Sequence, residues 1–243
     1  MLISFVIPAY NESKNIGACI DAIQQELTRT GYDCEIIVVD NACTDNTAMI
    51  AKARGARVVR ENQKGLVFAR ECGYRASTGE LVAHIDADTR IEKGWVQYAA
   101  DSFKKNPKLV VLSGPYTFYD GTFFINTITS LFHLGEYALY ILNRFVFRAG
   151  GLVQGGNFII RRTALDSAGG FNTSISFFGE DTDIARRLYP FGTMIFTFKL
   201  RAKSSARRLK GDGVIITGWR YLINFVWMML FKRAFTNSYK DFR

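Results

Sequence analysis

The sequence contains neither of the glycine-rich signatures that hold nucleotide phosphates in many α/β proteins. No G-x-G-x-x-G follows an apolar strand-like run, which argues against a dinucleotide-binding domain. No G-x-x-x-x-G-K-[ST] occurs either, so a P-loop is excluded. The chain therefore lacks the usual phosphate-binding loops.

Cysteine is scarce, and Cys19, Cys34, Cys43 and Cys72 all lie in the first third without a C-x-x-C spacing. This pattern is typical of reduced thiols in a cytosolic milieu. The N-terminus has no basic segment before its apolar run, which stops at Pro8, so it is predicted to be a first strand and not a signal peptide. Catalytic residues are accordingly expected to be cytoplasmic.

Most of the chain has a net charge of zero. Residues 1–198 hold 20 basic and 20 acidic side chains, whereas residues 199–243 hold 11 basic and 2 acidic ones, so the excess of +9 lies in the tail. The asymmetry predicts an anionic partner for the C-terminus, either a phosphorylated substrate or an acidic lipid surface. Nucleic acid is not expected, because no recognition motif accompanies the charge.

The apolar run Leu81–Ile85 leads directly into two carboxylates one residue apart, Asp86 and Asp88. If the strand continues through them, both side chains point the same way. Two such charges about 4 Å apart repel by roughly 4 kcal/mol at an effective dielectric of about 20, and an oxygen-seeking divalent cation between them removes that cost. A solvated turn that caps the next helix is the alternative.

Strand-like runs alternate with helical segments from the N-terminus onward, and 243 residues with 48% hydrophobic content suit one sizeable α/β domain, or one domain plus an appendage. The order βαβαβ predicts a mostly parallel sheet with helices on both faces. Ligands bind such sheets at the carboxyl ends of the strands. The strands are predicted at Leu2–Ile7, Glu35–Val39, Arg57–Arg60, Leu81–Ile85, Leu109–Ser113 and Phe158–Arg161.

Four pieces of sequence fall at or near these strand ends, namely Ile7-Pro8-Ala9-Tyr10-Asn11-Glu12, Val39-Asp40-Asn41, Lys64-Gly65 with Arg70, and Asp86-Ala87-Asp88. In their order and spacing they resemble family 2 glycosyltransferases, which have the GT-A fold, over roughly residues 1–210. The resemblance implies a UDP- or GDP-linked sugar donor and a divalent cation, Mg²⁺ or Mn²⁺.

The resemblance also assigns roles to residues. Base and ribose would meet Pro8, Tyr10, Glu12 and Asp40, while Asp86 and Asp88 would meet the ribose and the metal-bound diphosphate. Ala9, Asn41, Lys64, Arg70 and Ala87 complete the implied donor set. An aromatic ring and short carboxylates are the groups that stack on a base and bind its polar atoms. For Arg70, a solvated helix face is the alternative.

Two later stretches complete the implied site. Several glycines lie directly before a predicted strand. The resemblance assigns Gly155, Gly156 and Asn157 to the acceptor, and a plain tight loop is the alternative. Glu180 and Asp181 begin a helix, where acidic groups also favour the helix dipole. The resemblance implies that this pair supplies the general base, with Asp181 deprotonating an acceptor hydroxyl during an inverting displacement.

The chain departs from the family pattern after this point. Processive members carry Gln-x-x-Arg-Trp, which is absent here, and Arg207-Arg208 stand in a position to stabilise a departing diphosphate. No histidine follows His133, so the third metal ligand of many GT-A enzymes is missing or replaced. His133 itself is interpreted as a satisfied or interfacial histidine.

Two apolar stretches bear on the membrane. Residues 122–147 are aromatic but interrupted by charge, which favours an amphipathic helix on the bilayer or at the acceptor site. Residues 214–231 barely permit a span, and lying in the interface is preferred, with a buried core or dimer helix as a further option. We therefore predict a catalytic domain at 1–210 and a basic, membrane-associating tail at 211–243.

These patterns together favour a non-processive, metal-dependent glycosyltransferase at the cytoplasmic face of the cell-envelope membrane, with a lipid-linked or saccharide acceptor. One alternative is a sugar-phosphate nucleotidyltransferase, which needs a basic, glycine-rich loop where this chain has Asn11-Glu12. Another is a catalytically inactive membrane adaptor with the same fold, which the intact Asp86, Asp88 and Asp181 argue against.

Overall fold

A computed structural model describes residues 1–142, 151–175, 177–231 and 235–236. Ten strands form two sheets within these ranges. The strands are β1 (Ile3–Ala9), β2 (Cys34–Asn41), β3 (Arg57–Glu61), β4 (Leu81–Ile85), β5 (Arg90–Ile91), β6 (Leu109–Ser113), β7 (Tyr116–Phe118), β8 (Asn157–Arg161), β9 (Thr193–Phe196) and β10 (Ala202–Ser204).

Nine α-helices are described in the same ranges. They are α1 (Ile16–Thr30), α2 (Thr47–Ala53), α3 (Leu66–Ala76), α4 (Trp95–Lys105), α5 (Phe123–Leu142), α6 (Arg162–Ser167), α7 (Glu180–Leu188), α8 (Arg207–Asp212) and α9 (Val214–Phe231). The predicted alternation of strands and helices is confirmed. Of the apolar stretch predicted at 122–147, residues 143–147 lie outside the described ranges.

The main sheet has seven strands in the order β3-β2-β1-β4-β8-β6-β9. Strands β3, β2, β1 and β4 run parallel, and β8 is antiparallel to both of its neighbours. Because β8 runs the opposite way, its first residues lie at the edge where β4 ends. The loop before β8 therefore meets the loops after β1, β2 and β4 at one edge, which we call the carboxyl edge.

Apolar side chains cover both faces of this sheet. One core joins β1 to Ile16, Ile20 and Ile23 of α1 and to Trp95 of α4. The other core joins the opposite sheet face to apolar residues of α3, α6 and α7. Each fully buried Ile or Leu side chain contributes about 1.5–3 kcal/mol, so the two cores hold the carboxyl edge rigidly.

Helix α1 illustrates how the sequence sets the elements. Its apolar residues recur at positions 16, 20 and 23, one helical turn apart, and they face the core. Gly31 follows with a φ of 66°, a left-handed conformation that suits glycine, and its N–H donates to the carbonyl of Leu27 at 2.8 Å. The helix therefore ends where the glycine predicted it.

Helices α5, α8 and α9 lie beside this framework. α9 contacts α5, α7 and α8, and a Cβ at Gly218 would lie 2.7 Å from the Phe132 ring of α5. Part of each apolar helix nevertheless faces solvent, since Phe123, Ile215 and Trp219 are exposed. Among the described residues, none of the helices combines the length and the apolar character that crossing a membrane requires.

Candidate functional site

The loops after β1 and β2 hold each other at the carboxyl edge. Asn11 and Ala42 both have positive φ, 50° and 60°, and such a backbone costs on the order of 1–3 kcal/mol for a residue other than glycine. The Asn11 amide oxygen accepts from the Thr44 N–H at 2.8 Å, and the Asn11 N–H donates to the Cys43 Sγ at 3.3 Å. Backbone strain of this kind concentrates at ligand sites.

Asp40 is nearly buried at the end of β2. Its Oδ2 is 2.6 Å from Arg60 Nη1, and its Oδ1 accepts from the Cys43 N–H at 2.9 Å. Burial opposes ionisation, but the hydrogen bonds from Cys43 and Arg60 lower the pKa of Asp40 below its usual value. Asp40 is thus held as a carboxylate, an acceptor for hydrogen bonds.

Tyr10 and Lys64 come together from separate loops, since the Lys64 Nζ lies 3.7 Å from the Tyr10 ring centroid. Asn41 takes a different role, because its buried side chain donates to the Gln63 carbonyl at 2.7 Å and accepts from the Gly65 N–H at 2.8 Å. Asn41 therefore supports the loop that carries Lys64. Of the other predicted donor residues, Pro8 and Ala9 lie in β1 and Ala87 is buried in the core.

Glu12 is almost fully buried and joins the first loop to the tail. Its carboxylate accepts from Asn15 at 2.9 Å and from Arg207 Nη1 at 3.0 Å. The same guanidinium reaches Asp88, with Nη2 3.0 Å from Oδ2, and Ser204 Oγ is 3.4 Å from the other Asp88 oxygen. Arg207, at the start of α8, thus binds both carboxylates.

Asp86 and Asp88 lie in a turn and not in a strand. β4 ends at Ile85, and the Thr89 N–H donates to the Asp86 carbonyl at 2.9 Å. The prediction that strand alternation points both carboxylates the same way was therefore wrong. The turn sends Asp86 toward Arg70 of α3 and Asp88 toward Arg207 of α8.

Arg70 is fully buried at the centre of a carboxylate cluster formed by Asp86, Glu180 and Asp181. Its Nη2 is 3.3 Å from Asp86 Oδ1, and its Nη1 donates to Glu180 Oε1. The alternative of a solvated helix face for Arg70 was wrong, because the side chain has no exposed surface. Arg70 links the end of β4 to the start of α7.

The two carboxylates of α7 differ in environment. Burial raises the pKa of Glu180 to about 7, and the charges of Asp181 and Asp86 add to the shift while Arg70 opposes it. Burial also raises the pKa of Asp181, whose Oδ1 accepts from the Thr182 N–H at 2.7 Å. Asp181 is part exposed while Glu180 is buried, so Asp181 is the one that a substrate can reach.

The loop before β8 packs against these carboxylates. A Cβ on Gly155 would lie 3.3 Å from Glu180 Oε1 and 3.5 Å from Asp181 Oδ2. Gly156 has a φ of 77°, and a Cβ there would lie 2.2 Å from the Asp86 carboxyl carbon. Both glycines therefore make room for the protein's own carboxylates.

The predicted acceptor role of Asn157 does not fit its surroundings. Its side chain is fully buried, accepts from Trp95 Nε1 at 2.9 Å, and donates to the carbonyls of Leu200 at 2.8 Å and Gly114 at 3.0 Å. The amide thus ties β8 to three other segments, and it leaves no surface to an acceptor.

The residues that approach the cluster from the tail are Arg208 and Tyr221. Arg208 Nη1 donates to the Tyr221 hydroxyl, and its guanidinium carbon lies 4.7 Å from the Phe177 ring centroid. The start of α7 packs on α9, since a Cβ at Gly179 would lie 2.7 Å from Met228 Cε. Helix α9 therefore stands beside the Glu180-Asp181 pair.

The side chains that could hold a cation at this edge are carboxylates, which offer oxygen ligands. Asp86 and Asp88 follow the same strand, and both carboxylates have protein partners, Arg70 for Asp86 and both Arg207 and Ser204 for Asp88. Within the ranges described, no group of three or more His, Cys, Asp or Glu is placed to hold a metal. Two aspartates that follow one strand suit Mg²⁺ or Mn²⁺ when the ion takes its further ligands from water and a substrate diphosphate.

Sequence reasoning missed two residues of the site. Arg60 lies opposite Asp40 in the β2–β3 register, at the end of a predicted strand, so the strand-end rule carries a signal for it. Tyr221 carries no local signal, because its place depends on how α9 packs against α7. His133 bonds to Glu136 Oε2 and to the Tyr116 carbonyl, as a satisfied histidine.

The same fold occurs in solved sugar transferases. A mannosyltransferase from Pyrobaculum calidifontis, solved with GDP-Man and Mn²⁺, matches with a TM-score of 0.71 and 19% identity over 95% of this chain and 63% of that chain. The Mycobacterium tuberculosis glucosyl-3-phosphoglycerate synthase, solved with Mn²⁺ and UDP-glucose, matches with a TM-score of 0.63 and 21% identity over 93% of this chain and 78% of that one. The predicted GT-A fold is thereby confirmed.

The sequence comparisons show the family. The model of "Glycosyl transferase family 2" matches residues 4–169, more than half of the chain, so the protein belongs to glycosyl transferase family 2. Glycosyltransferase GlyG of Streptococcus pneumoniae is 30% identical over 152 residues, 59% of this chain and 50% of its own length. Poly-beta-1,6-N-acetyl-D-glucosamine synthase of Staphylococcus epidermidis is 28% identical over 198 residues, 78% of this chain and 46% of its own length. The matches span about half the length of these relatives.

Proposed function

We propose that this chain moves a sugar from a nucleoside-diphosphate donor to an acceptor, with inversion at the anomeric carbon. The observation that carries the proposal is the convergence of Asp40, Asp86, Asp88 and the Glu180-Asp181 pair at the carboxyl edge of one sheet. Family membership supports it, as do structural neighbours solved with GDP-Man or UDP-glucose.

The donor end of the site is the pair of loops after β1 and β2. Tyr10 offers a ring for stacking on the base, with Lys64 on that ring, and Asp40 accepts hydrogen bonds from base or ribose. Arg207 lies between Glu12 and Asp88, where its guanidinium can also meet a diphosphate. These are the groups that would hold a UDP- or GDP-linked sugar.

Asp86 and Asp88 are the residues that would hold a divalent cation, Mg²⁺ or Mn²⁺. Bound there, the ion supplies charge neutralisation for the departing diphosphate. Arg70 fixes the orientation of Asp86, because the Arg70 side chain is fully buried and its Nη2 lies 3.3 Å from Asp86 Oδ1.

Asp181 is the proposed general base. Its carboxylate takes the proton of an acceptor hydroxyl as that oxygen attacks the anomeric carbon from the face opposite the diphosphate. The bond between the anomeric carbon and the diphosphate oxygen breaks, and its electron pair leaves with the nucleoside diphosphate. Glu180 is held by Arg70 at the start of α7, so it positions Asp181 and does not touch substrate.

We further propose a lipid-linked acceptor and attachment to the cytoplasmic face of an anionic membrane. The exposed apolar residues of α5 and α9 lie on neighbouring helices, and the tail carries 11 basic against 2 acidic residues. Each Lys or Arg near an acidic surface contributes about 1 kcal/mol. The four cysteines are free thiols, which suits a cytoplasmic setting.

Donor binding is expected to require the cation. A thermal-shift screen of UDP, GDP and their sugar conjugates with Mn²⁺ or Mg²⁺ should find one nucleotide that stabilises the protein, by about 2.7 kcal/mol at 100 times its Kd. EDTA or Asp88→Asn should abolish most of that shift, while Asp101→Asn on α4 serves as a control remote from the site. Undiminished donor affinity in EDTA would remove the metal from the proposal.

Donor hydrolysis tests the alternatives. An active transferase should slowly release nucleoside diphosphate from its sugar donor, whereas an inactive adaptor with the same fold should release none. A nucleotidyltransferase would consume nucleoside triphosphate and release pyrophosphate. Release of pyrophosphate alone would replace the transferase proposal.

Membrane attachment is expected to depend on the exposed face of α9. The combined substitutions Ile215→Gln, Ile216→Gln and Trp219→Gln should lower flotation with vesicles that contain acidic lipid, because these three side chains are each more than half exposed. High salt should also weaken flotation by screening the basic tail. Met49→Gln changes an equally exposed apolar residue on α2 and is the matched control. Equal flotation of wild type and triple variant would refute the role of α9.

A further inference from the structure

The adjacent arginines at the start of α8 serve different sides of the site. Arg207 contacts Glu12 and Asp88, which belong to the donor side. Arg208 contacts Tyr221 of α9 and the ring of Phe177. Successive residues on a helix project about 100° apart, so one turn of α8 reaches both sides.

Tyr221 brings Arg208 close to the carboxylate cluster. The Tyr221 ring centroid lies 5.9 Å from that of Phe178, the residue that precedes Gly179 at the start of α7. The packing of Met228 on Gly179 fixes α9 against the first turn of α7. The Arg208–Tyr221 pair therefore stands on the side of Asp181 from which α9 approaches.

The chemistry of this pair suits an anion. A guanidinium that stacks on an aromatic ring uses its face, while its N–H donors lie in its plane and match the oxygens of a phosphate. A phenol that accepts from Arg208 can donate its own proton to an anion bound beside it. Exposed apolar residues of α9, among them Leu222 and Ile215, continue from Tyr221 along the same helix.

We propose that Arg208 and Tyr221 bind a phosphate group of the acceptor, next to Asp181, and that α9 receives the hydrocarbon chain attached to that phosphate. The inference rests on the proposed transferase function for the existence of an acceptor. The sequence alone assigned both arginines to the donor diphosphate. In this proposal they have different roles: Arg207 serves the donor, and Arg208 selects a phosphorylated amphiphile as acceptor.

Calorimetric titration with octyl phosphate tests the proposal directly. Octyl phosphate, inorganic phosphate and octyl glucoside are titrated into the full chain below their micelle concentrations, with and without saturating nucleotide and Mn²⁺. Wild type is compared with Arg208→Gln, Arg208→Lys and Arg207→Gln, and with Arg201→Gln as a control for an exposed arginine that bonds only locally to the Phe198 carbonyl in the described contacts. Circular dichroism verifies that each variant is folded.

The expected result is that octyl phosphate binds and that Arg208→Gln weakens this binding at least about tenfold, because a hydrogen bond to a charged group is lost. Arg208→Lys should recover part of the affinity, and Arg201→Gln should change nothing. Inorganic phosphate should bind more weakly than octyl phosphate and respond to Arg208 in the same way. Octyl glucoside should bind no better than inorganic phosphate.

Three results would overturn the proposal. They are no octyl phosphate binding in wild type, equal affinity of wild type and Arg208→Gln, and a loss of nucleotide affinity in Arg208→Gln as large as that in Arg207→Gln. A wild-type protein that binds octyl phosphate through Arg208 but no nucleotide would instead contradict the proposed function and leave the anion site in place.

Discussion

Replacing Asp181 by asparagine is expected to leave nucleotide-sugar affinity nearly unchanged and to lower sugar transfer at least about 100-fold, the usual scale for a positioned base. Asp181 is part exposed, and desolvation raises the pKa of its carboxyl above its usual value. Asparagine preserves the shape and the hydrogen bond from the Thr182 N–H, so the loss should fall on the chemical step. Donor affinity is measured by calorimetry, and transfer by release of nucleoside diphosphate at saturating donor.

Asp183→Asn is the matched control on the same helix. Asp183 is buried and pairs with Arg186 at 3.0 Å and with Arg187 at 3.7 Å, away from the carboxylate cluster. We expect this variant to lose stability but to keep near-normal transfer for each folded molecule. Near-normal turnover in Asp181→Asn would remove Asp181 from the mechanism.

Replacing Arg70 by methionine is expected to lower the free energy of unfolding by about 3–5 kcal/mol, because removing one partner of a buried ion pair leaves its charge uncompensated. Arg70 has no exposed surface, and its guanidinium faces both Asp86 and Glu180. Urea unfolding followed by circular dichroism measures the change.

Two companion variants test this explanation. Arg75→Met removes another arginine of α3, which pairs with Glu71 on the surface, and should cost less than about 1 kcal/mol. Adding Glu180→Leu to Arg70→Met should recover part of the lost stability, because the buried carboxylate is removed as well. If Arg70→Met were no more destabilising than Arg75→Met, the positive charge of Arg70 would not compensate the negative charge of the carboxylate cluster.

Features of the fold that depend on the local sequence pattern were predictable. The strand ends that carry Asp40 and Asp86 follow from apolar runs that stop at a polar residue, and Gly31 ends α1 as glycine does in many helices. Because the topology of an α/β sheet gathers strand ends at one edge, the place of the site followed from the same pattern.

Features that depend on distant partners were not predictable. Arg70 meets Glu180 across 110 positions of sequence, and nothing in the local pattern of α3 separates it from the exposed Arg75. Asn157 follows a glycine-rich stretch, which suggested a ligand, but it is the first residue of β8 and its side chain donates to the carbonyls of Gly114 and Leu200. The predicted common direction of Asp86 and Asp88 was wrong because β4 ends at Ile85, before either aspartate.

The tail is also more closely joined to the candidate site than its composition suggested. The predicted boundary at residue 210 falls inside α8, and α8 supplies Arg207. Helix α9 supplies Tyr221 and packs on the first turn of α7. A truncation before α8 would therefore remove Arg207 and Tyr221 together with the exposed apolar residues of α9.

The bond between Arg207 and Glu12 joins positions 195 residues apart and so constrains the order of folding. Closing so long a loop costs entropy that must be spent before the contact contributes, which makes contacts of this range slow to form. During synthesis, β1 and the Glu12 loop leave the ribosome long before α8 exists. The sheet can thus assemble from β1 to β4 first, and the contact between the Glu12 loop and Arg207 forms only when α8 docks.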